Sequence, residues 1–363
     1  MRVVYHALKL DEGPYHTLGG NYFHAHYLAA ALVDRGDLDM TILCDEHTRE
    51  PLQADIPARF LKLCELRGRG VLAADKAVVQ SLRQIKHDVY HRPTGQLPLM
   101  PLAGKTVATI ADLHHFLVFP MRWAQKMYKH ISYRWTVRRA TQLTCISRYT
   151  RDEVVRHLRA DARKITVIHH GANPLPPPLF QVAHQIDSNY WLAFGHQPYK
   201  NVEAAVQALI QRPPPEHLVV IGRGAYIETV IKPLARSPGL SDRVHFPGYI
   251  SREELHGLLL KSLGLLFLST YEGFGLPVLE AMLAGCPVIS SNACSLPEVV
   301  GAAAQLVSPH DVPGILRAMQ RLVEDDQFRI HQARAGREQA AEFTWKQAAE
   351  KTVSVYRRAL ENN

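Results

Sequence analysis

Two glutamates eight residues apart, Glu272 and Glu280, lie in the stretch STYEGFGLPVLEAMLAGCPVISSNACSLPEVVG (269–301), the part of this sequence best suited to chemistry. Between them, Gly273 and Gly275 permit a tight loop and close backbone approach. Pro277 fits the first turn of a helix running from about Leu276 to Ala284, and Gly285 supplies its stop. The start of such a helix offers unpaired N–H groups and the positive end of a dipole, which suit a phosphate. Carboxylates repel phosphate, so the two glutamates fit better as hydrogen-bond acceptors for hydroxyls on either side of it. A nucleotide-sugar has that layout: sugar hydroxyls, diphosphate, ribose hydroxyls.

The elements around this segment must hold it after a strand. Short β-branched runs occur at 1–8, 40–45, 59–63, 88–92, 106–112, 143–147 and 165–170, separated by helix-like stretches such as 21–36 and 151–160. A second series follows at 190–195, 218–222, 243–248, 264–269 and 287–291. Strand–helix alternation predicts α/β architecture with mostly parallel, doubly wound sheets. Residues 1–172 and 190–343 read as two Rossmann-like domains. The intervening 173–189 contains PLPPPLF and reads as an extended, semi-rigid linker. The last helical stretch, within 344–363, has no strand after it and is expected to pack back toward the N-terminal domain. Ligands of open α/β sheets bind at the carboxyl ends of the strands, so two sheets facing each other would enclose a binding cleft.

The chain has 363 residues, 47% hydrophobic and 21% charged, which excludes a disordered tail, a collagen-like chain and a coiled coil. Five scattered cysteines without a CxxC fit reduced thiols in a cytosolic protein. Residues 1–10 form too short an apolar run for a signal peptide, and 258–268, interrupted by Lys261, is too short to span a bilayer. The net charge of +8 is uneven: residues 1–180 carry 25 Lys and Arg against 16 Asp and Glu, an excess of nine, and the remainder is close to neutral. A basic first half suggests an anionic partner there. Nucleic acid is disfavoured, since no RRM, KH or zinc-knuckle pattern appears.

The glutamate segment resembles the Glu-x7-Glu signature of retaining glycosyltransferases of the GT-B fold, family 4. GGNYFHAHYLAAAL (19–32) resembles that family's glycine-rich acceptor-side loop and first helix, with Gly19, Gly20 and Asn21 at its acceptor or phosphate loop. TCISRYTRDEVV (144–155) with ITVIHHGAN (165–173) resembles its approach to the linker. AFGHQPYKNVEAAVQAL (193–209) resembles its phosphate-binding strand and helix, and DRVHFPGYISREELHGLL (242–259) its nucleobase side. The likeness covers most of the chain in the right order.

The resemblance implies two Rossmann-like domains facing across a cleft and transfer of a hexosyl group to an acceptor hydroxyl with retention of configuration. By the same resemblance Glu272 holds the donor sugar and Glu280 the ribose. Gly273, Phe274, Gly275 and Leu276 offer backbone groups to sugar and diphosphate, and Lys200 neutralises the departing diphosphate. Val244 and Phe246 lie along the nucleobase through backbone groups, or are simply an interior strand. Arg223 adds a second cation to the phosphate site, or is an exposed loop arginine. The family often has an arginine after the glycine that ends the first C-terminal strand. His196 stands there instead, either as a protonated second cation or as a spacer. Mannosyl- and rhamnosyl-like members show a His-Asp-Leu triplet, whereas this chain has Ala111-Asp112-Leu113 followed by His114 and His115. His114 is then expected to replace the missing histidine, with Asp112 beside it, in the catalytic set.

No metal or cofactor is expected beyond the nucleotide-sugar co-substrate, whether GDP-, UDP- or dTDP-linked. Asp37-Leu38-Asp39 is formally a DxD motif but precedes a strand, at the wrong end of the sheet. The likeness favours a mannose- or rhamnose-like donor and a lipid-linked or oligosaccharide acceptor in surface-polysaccharide or O-antigen assembly. The alternatives are a soluble enzyme with a small-molecule acceptor and a non-catalytic partner subunit. Within 116–140, Trp123, Met127, Ile131 and Trp135 recur at one helical turn among Arg122, Lys126, Lys129, Arg134, Arg138 and Arg139. That stripe fits a membrane interface or the buried face of a Rossmann helix. With the charge asymmetry, it favours a cytoplasmic enzyme peripheral on an anionic inner leaflet.

Overall fold

The computed structural model describes residues 1–7, 20–44, 56–62, 71–118, 121–182, 185–186, 189–212 and 216–361. The chain divides into two compact units, Met1–Gly171 with Thr344–Asn363, and Ala172–Phe343.

The first unit is built on a seven-stranded parallel sheet. Its strands are β1 (Arg2–His6), β2 (Asp39–Cys44), β3 (Arg59–Lys62), β4 (Val89–Arg92), β5 (Lys105–Ile110), β6 (Gln142–Cys145) and β7 (Ile165–Val167). They lie in the order β3-β2-β1-β4-β5-β6-β7. Alternate residues face opposite sides of the sheet. Val3, Tyr5, Val89 and Val107 join one core, and Val4, Leu43, Tyr90 and Ala108 the other. Both faces are covered, so these strands read as continuous apolar runs rather than alternating ones.

The helix Trp345–Glu361 completes the first core. Tyr356 is fully buried, and its hydroxyl lies 2.6 Å from His91 Nδ1. Arg358 donates to Thr166 Oγ1 at 2.6 Å. Trp345 stacks near His170 and Tyr27, with ring centroids 5.5 and 5.8 Å away. Gly171 is required beside it, because a Cβ there would come within 2.3 Å of the Trp345 backbone nitrogen.

In the second unit, β8 (Tyr190–Phe194), β9 (His217–Ile221), β10 (Val244–Gly248), β11 (Gly264–Phe267), β12 (Val288–Ser291) and β13 (Gln305–Val307) form a parallel sheet. Their order, β10-β9-β8-β11-β12-β13, repeats the Rossmann winding of the first sheet. β13 is absent from the sequence reading, being three residues on a sheet edge. The proline-rich stretch lies along the helix Arg252–Lys261 within this unit. Leu179 N donates to Glu253 O at 2.9 Å, and His256 Nδ1 lies 2.7 Å from Pro176 O. A Cβ on Gly257 would come within 2.0 Å of Leu179 O, so only glycine admits this approach. Among the described residues, no helix is long and apolar enough to cross a membrane.

Candidate active site

In a sheet wound this way the crossover direction reverses between the first and fourth strands, leaving a crevice at their carboxyl ends. In the second unit that point lies between β8 and β11. Lys200 sits on the loop after β8 and Glu272 on the loop after β11, and Lys200 Nζ lies 2.6 Å from Glu272 Oε1. Both side chains are largely buried, at 7% and 13% exposure. The ammonium also stands 4.9 Å from the ring centroid of Phe267 and 5.2 Å from that of Tyr199, contacts that favour a cation.

Local hydrogen bonds fix these loops. Thr270 N donates to Tyr199 O at 2.8 Å, tying the two loops together. Asn201 adopts the left-handed region at φ +53, and its amide donates to Leu268 O and Pro309 O. Ser295 is fully buried, and its hydroxyl reaches both Glu272 O and Phe274 O at 3.0 Å. Gly275 caps the helix Leu276–Ala284 at φ +111, where a Cβ would meet Leu296 Cδ2 at 2.7 Å. The Phe274 and Leu276 side chains are buried. What this loop offers a ligand is therefore backbone and the Glu272 carboxylate.

Glu280, on the same helix, is 8% exposed. Its Oε1 accepts from Asn173 Nδ2 at 2.9 Å and Arg252 at 3.1 Å, and Arg252 also donates to Pro174 O at 2.8 Å. The Asn173 amide oxygen is buried without a hydrogen-bond partner among the described residues. Asn173, Arg252, Ser295 and Asn201 are absent from the sequence-derived set. Asn173 and Arg252 stand inside motifs already quoted, but their partners come from 107 and 28 residues away.

His196 follows Gly195 under the loop after β9. A Cβ on Gly222 or Gly224 would come within 3.3 or 3.2 Å of it. Burial, reinforced by the charge of Lys200, pulls its pKa down to about 4. These two effects oppose a charge on His196, and the charge of a diphosphate beside it would act in the other direction. Arg223 is exposed, with its guanidinium against Gly248 at the end of β10. Val244 is buried in the apolar core and Phe246 packs against it half-buried, both on β10 at the edge of the sheet.

In the first unit, Asp112 and His114 follow β5. His114 Nδ1 lies 2.6 Å from Asp112 Oδ1, and the His114 backbone N–H donates to the same oxygen at 3.1 Å. Burial alone would raise the Asp112 pKa, but the hydrogen bonds and charge of His114 bring it below its ordinary value. The carboxylate thus orients the imidazole, leaving Nε2 as the other ring nitrogen. The His115 ring lies 3.9 Å from that of His114, and burial, then the His114 charge, takes its pKa to about 4. Gly19 lies outside the described residues. Gly20 opens the helix Gly20–Val33, and Asn21 follows it. Asp37 is paired with Arg35 at 2.9 Å at the amino end of β2, away from the strand ends that build sites. Among the described residues, no group of three or more His, Cys, Asp or Glu could hold a metal ion.

Two Rossmann-wound units, with a carboxylate–lysine pair at the switch point of the second, define the doubly wound α/β class with a candidate site where such sheets bind ligands. Residues 189–339 match the family described as glycosyl transferases group 1, and residues 18–174 match glycosyltransferase family 4. The chain belongs to the family 4 glycosyltransferases of the GT-B fold. It is 28% identical over 291 residues to O-antigen chain mannosyltransferase B of Escherichia coli, covering 76% of each chain. It is 33% identical over 174 residues to the serotype-specific mannosyltransferase WbdA of Escherichia coli, but these are only 21% of that protein's length. Among solved structures, sucrose-phosphate synthase from Thermosynechococcus elongatus superposes with a TM-score of 0.78 at 19% identity over 100% of both chains. Anabaena Alr3699/HepE in complex with UDP and glucose gives 0.76 at 19% identity, covering 98% of this chain and 99% of that one.

Proposed function

We propose that this glycosyltransferase moves a hexosyl group, mannose-like by its relatives, from a nucleotide-sugar to an acceptor hydroxyl in surface-polysaccharide assembly. The donor is GDP-, UDP- or dTDP-linked and is a co-substrate, with no further cofactor or metal ion. The observation that carries the reading is Lys200 held 2.6 Å from Glu272 at the carboxyl ends of β8 and β11, with Glu280 on the helix that follows. In this reading Glu272 accepts hydrogen bonds from the sugar and Glu280 uses its second oxygen on the ribose. The backbone around Gly273–Gly275 and Lys200 takes the charge that develops on the leaving diphosphate. Such preorganised groups act where charge appears in the transition state. His114, oriented by Asp112, is a further candidate catalytic residue carried by the first unit.

The acceptor attacks from the face the diphosphate leaves, through an oxocarbenium-like transition state, with retention at the anomeric carbon. The diphosphate oxygen takes the acceptor proton, so no side chain is needed as base. The acceptor is a lipid-linked or oligosaccharide glycan, and the enzyme works from the cytoplasmic face of the membrane. A panel of GDP-, UDP- and dTDP-sugars tested by thermal shift identifies the donor. A ligand at 100 times its dissociation constant adds about 2.7 kcal/mol of stability. Failure of every nucleotide-sugar to raise the melting temperature, with no transfer to a glycan acceptor, would overturn the reading.

A further inference from the structure

Along β13, the last strand in the order of the second sheet, lies a cavity of about 630 Å³. Small-molecule sites commonly measure about 300–1,000 Å³. Its other walls are the helices Val312–Glu324 and Asp326–Ala341. None of these elements belongs to the β8–β11 switch point. Cations stand at the mouth. Arg317 and Arg321, one turn apart on the first helix, are both exposed, as is His331 on the second. The neighbouring carboxylate, Asp311, is engaged: it accepts from Gly314 N at 3.0 Å and lies 3.7 Å from Arg317. Arg321 is stacked on Phe328, 3.6 Å from its ring centroid, which holds the guanidinium flat and leaves its N–H edge for an anion.

Behind the cations the lining supplies acceptors. Gln332 is 5% exposed, and its Oε1 is buried without a hydrogen-bond partner among the described residues. A buried carbonyl left unpaired costs free energy that a donor from a ligand would recover. Gln305 on β13 turns its Nε2 to Ala318 O at 3.0 Å, which keeps its Oε1 as a second acceptor. Guanidiniums outside and amide oxygens inside match a ligand with an anionic group and hydroxyl donors behind it. Phe328 is already covered by Arg321, which favours a sugar over a nucleobase as the group behind the anion.

We propose that this cavity is a second small-molecule site that binds a sugar phosphate, its phosphate on Arg317 and Arg321 and its hydroxyls donating to Gln332 and Gln305. Two sets of contacts run from its walls to the candidate active site. Ser308 lines the cavity, and the next residue, Pro309, accepts from Asn201 Nδ2 at 2.6 Å, directly after Lys200. The helix Asp326–Ala341 packs on the helix Leu276–Ala284, which carries Glu280. A Cβ on Gly336 would lie 3.4 Å from Met282 Cγ, and Arg337 donates to Ala284 O at 3.3 Å. A ligand that ties β13 to these helices therefore bears on the mounts of both Lys200 and Glu280, and acts as an effector of nucleotide binding. Only that coupling rests on the transferase reading; the sugar-phosphate site does not.

Isothermal calorimetry of the full chain with mannose 6-phosphate and glucose 6-phosphate, against inorganic phosphate and free mannose, tests this. A hexose phosphate is expected to bind more tightly than either fragment. Arg317→Glu with Arg321→Glu weakens it at least about tenfold, since a hydrogen bond to a charged group is worth about that factor or more, while circular dichroism stays unchanged. Gln332→Leu weakens the hexose phosphate and leaves inorganic phosphate as it was. Saturating GDP, UDP or dTDP does not displace the hexose phosphate; the two ligands instead change each other's affinity by the same factor, in wild type and not in the double-arginine variant. No binding of either hexose phosphate, binding that survives the arginine substitutions, or competitive displacement by nucleotide would overturn the site. A hexose phosphate that binds but leaves nucleotide affinity unchanged would overturn the coupling alone.

Discussion

Lys200 and Glu272 neutralise each other across the β8–β11 switch point, 2.6 Å apart and both more than four-fifths buried. The pair joins the cation assigned to the leaving group with the carboxylate assigned to the sugar. Under the proposed function, donor binding exchanges this contact for contacts to diphosphate and hydroxyls. One interaction then serves both stability and catalysis, and substitutions can separate the two.

Lys200→Ala should lower kcat by about a hundred- to a thousandfold, the usual cost of losing one charge-stabilising group. It should also lower the melting temperature, because Glu272 is left without its buried partner, a loss of up to about 3 kcal/mol. Adding Glu272→Ala should recover part of the stability and none of the activity. Steady-state kinetics with calorimetry on the two variants reads both; a double variant no more stable than the single one contradicts the pairing.

Glu280→Ala should weaken binding of free nucleoside diphosphate, whereas Glu272→Ala should mainly reduce sugar transfer. The reason is position: Glu280 is oriented by Asn173 and Arg252 through one oxygen, leaving the other for a ribose. Isothermal calorimetry with nucleoside diphosphate decides it. Equal affinity in both variants and wild type removes Glu280 from the ribose.

Gly275→Ala should destabilise the chain and impair transfer together, since φ +111 and Leu296 Cδ2 at 2.7 Å both oppose a side chain. Gly239→Ala is the control, with a similar φ of +82 but nothing within 4 Å of the added Cβ. Urea titrations should show a loss of about 1–3 kcal/mol for the first, a smaller one for the second, and activity loss only in the first.

The first unit should be acid-labile. Burial holds His24 at a pKa of about 4 and His91 at about 3, and pushes His6 and His170 well below the ordinary value. Each folded-state value lies below the unfolded one near 6.5. Their neutral forms therefore support the fold above about pH 6.5, and that support is lost as pH falls toward 4 and 3. Each histidine adds a slope of up to about 1.4 kcal/mol per pH unit. Hydrogen exchange between pH 7 and pH 5 should show β1, β4 and the helix Trp345–Glu361 losing protection; a flat profile contradicts burial of neutral imidazoles.

EDTA should leave the transfer rate unchanged, because charge stabilisation is assigned to Lys200 and backbone amides. Loss of activity restored by a divalent ion would require a different scheme.

Much of this was legible in residue order. Every strand but β13 follows from a short apolar run, and the helix Leu276–Ala284 follows from Pro277 and Gly285. Glu272, Glu280 and Lys200 stood out because glycines and strand ends surround them. Asn173, Arg252 and Ser295 did not, because their value lies in partners that only the fold brings near. The setting of His196 was hidden for a related reason: its type leaves its charge open, and the burial that lowers its pKa is tertiary. Periodicity likewise exposed the Trp123–Trp135 stripe but not which way it faces. Small hydroxyl residues at 132 and 136, polar in composition, line the buried side of the helix Trp123–Arg139, and the stripe is the exposed one.

The helix Trp345–Glu361 has a temporal consequence. Its Tyr356 closes on His91, 265 residues earlier, and it completes the core around β1 and β4. During synthesis those residues emerge only after all of 172–343 has been made. The usual order, in which the earlier domain folds first, is thus inverted. The second unit has its whole sequence available while the first still exposes an unfinished apolar face. A nascent chain carries that face uncovered until the helix Trp345–Glu361 has been made.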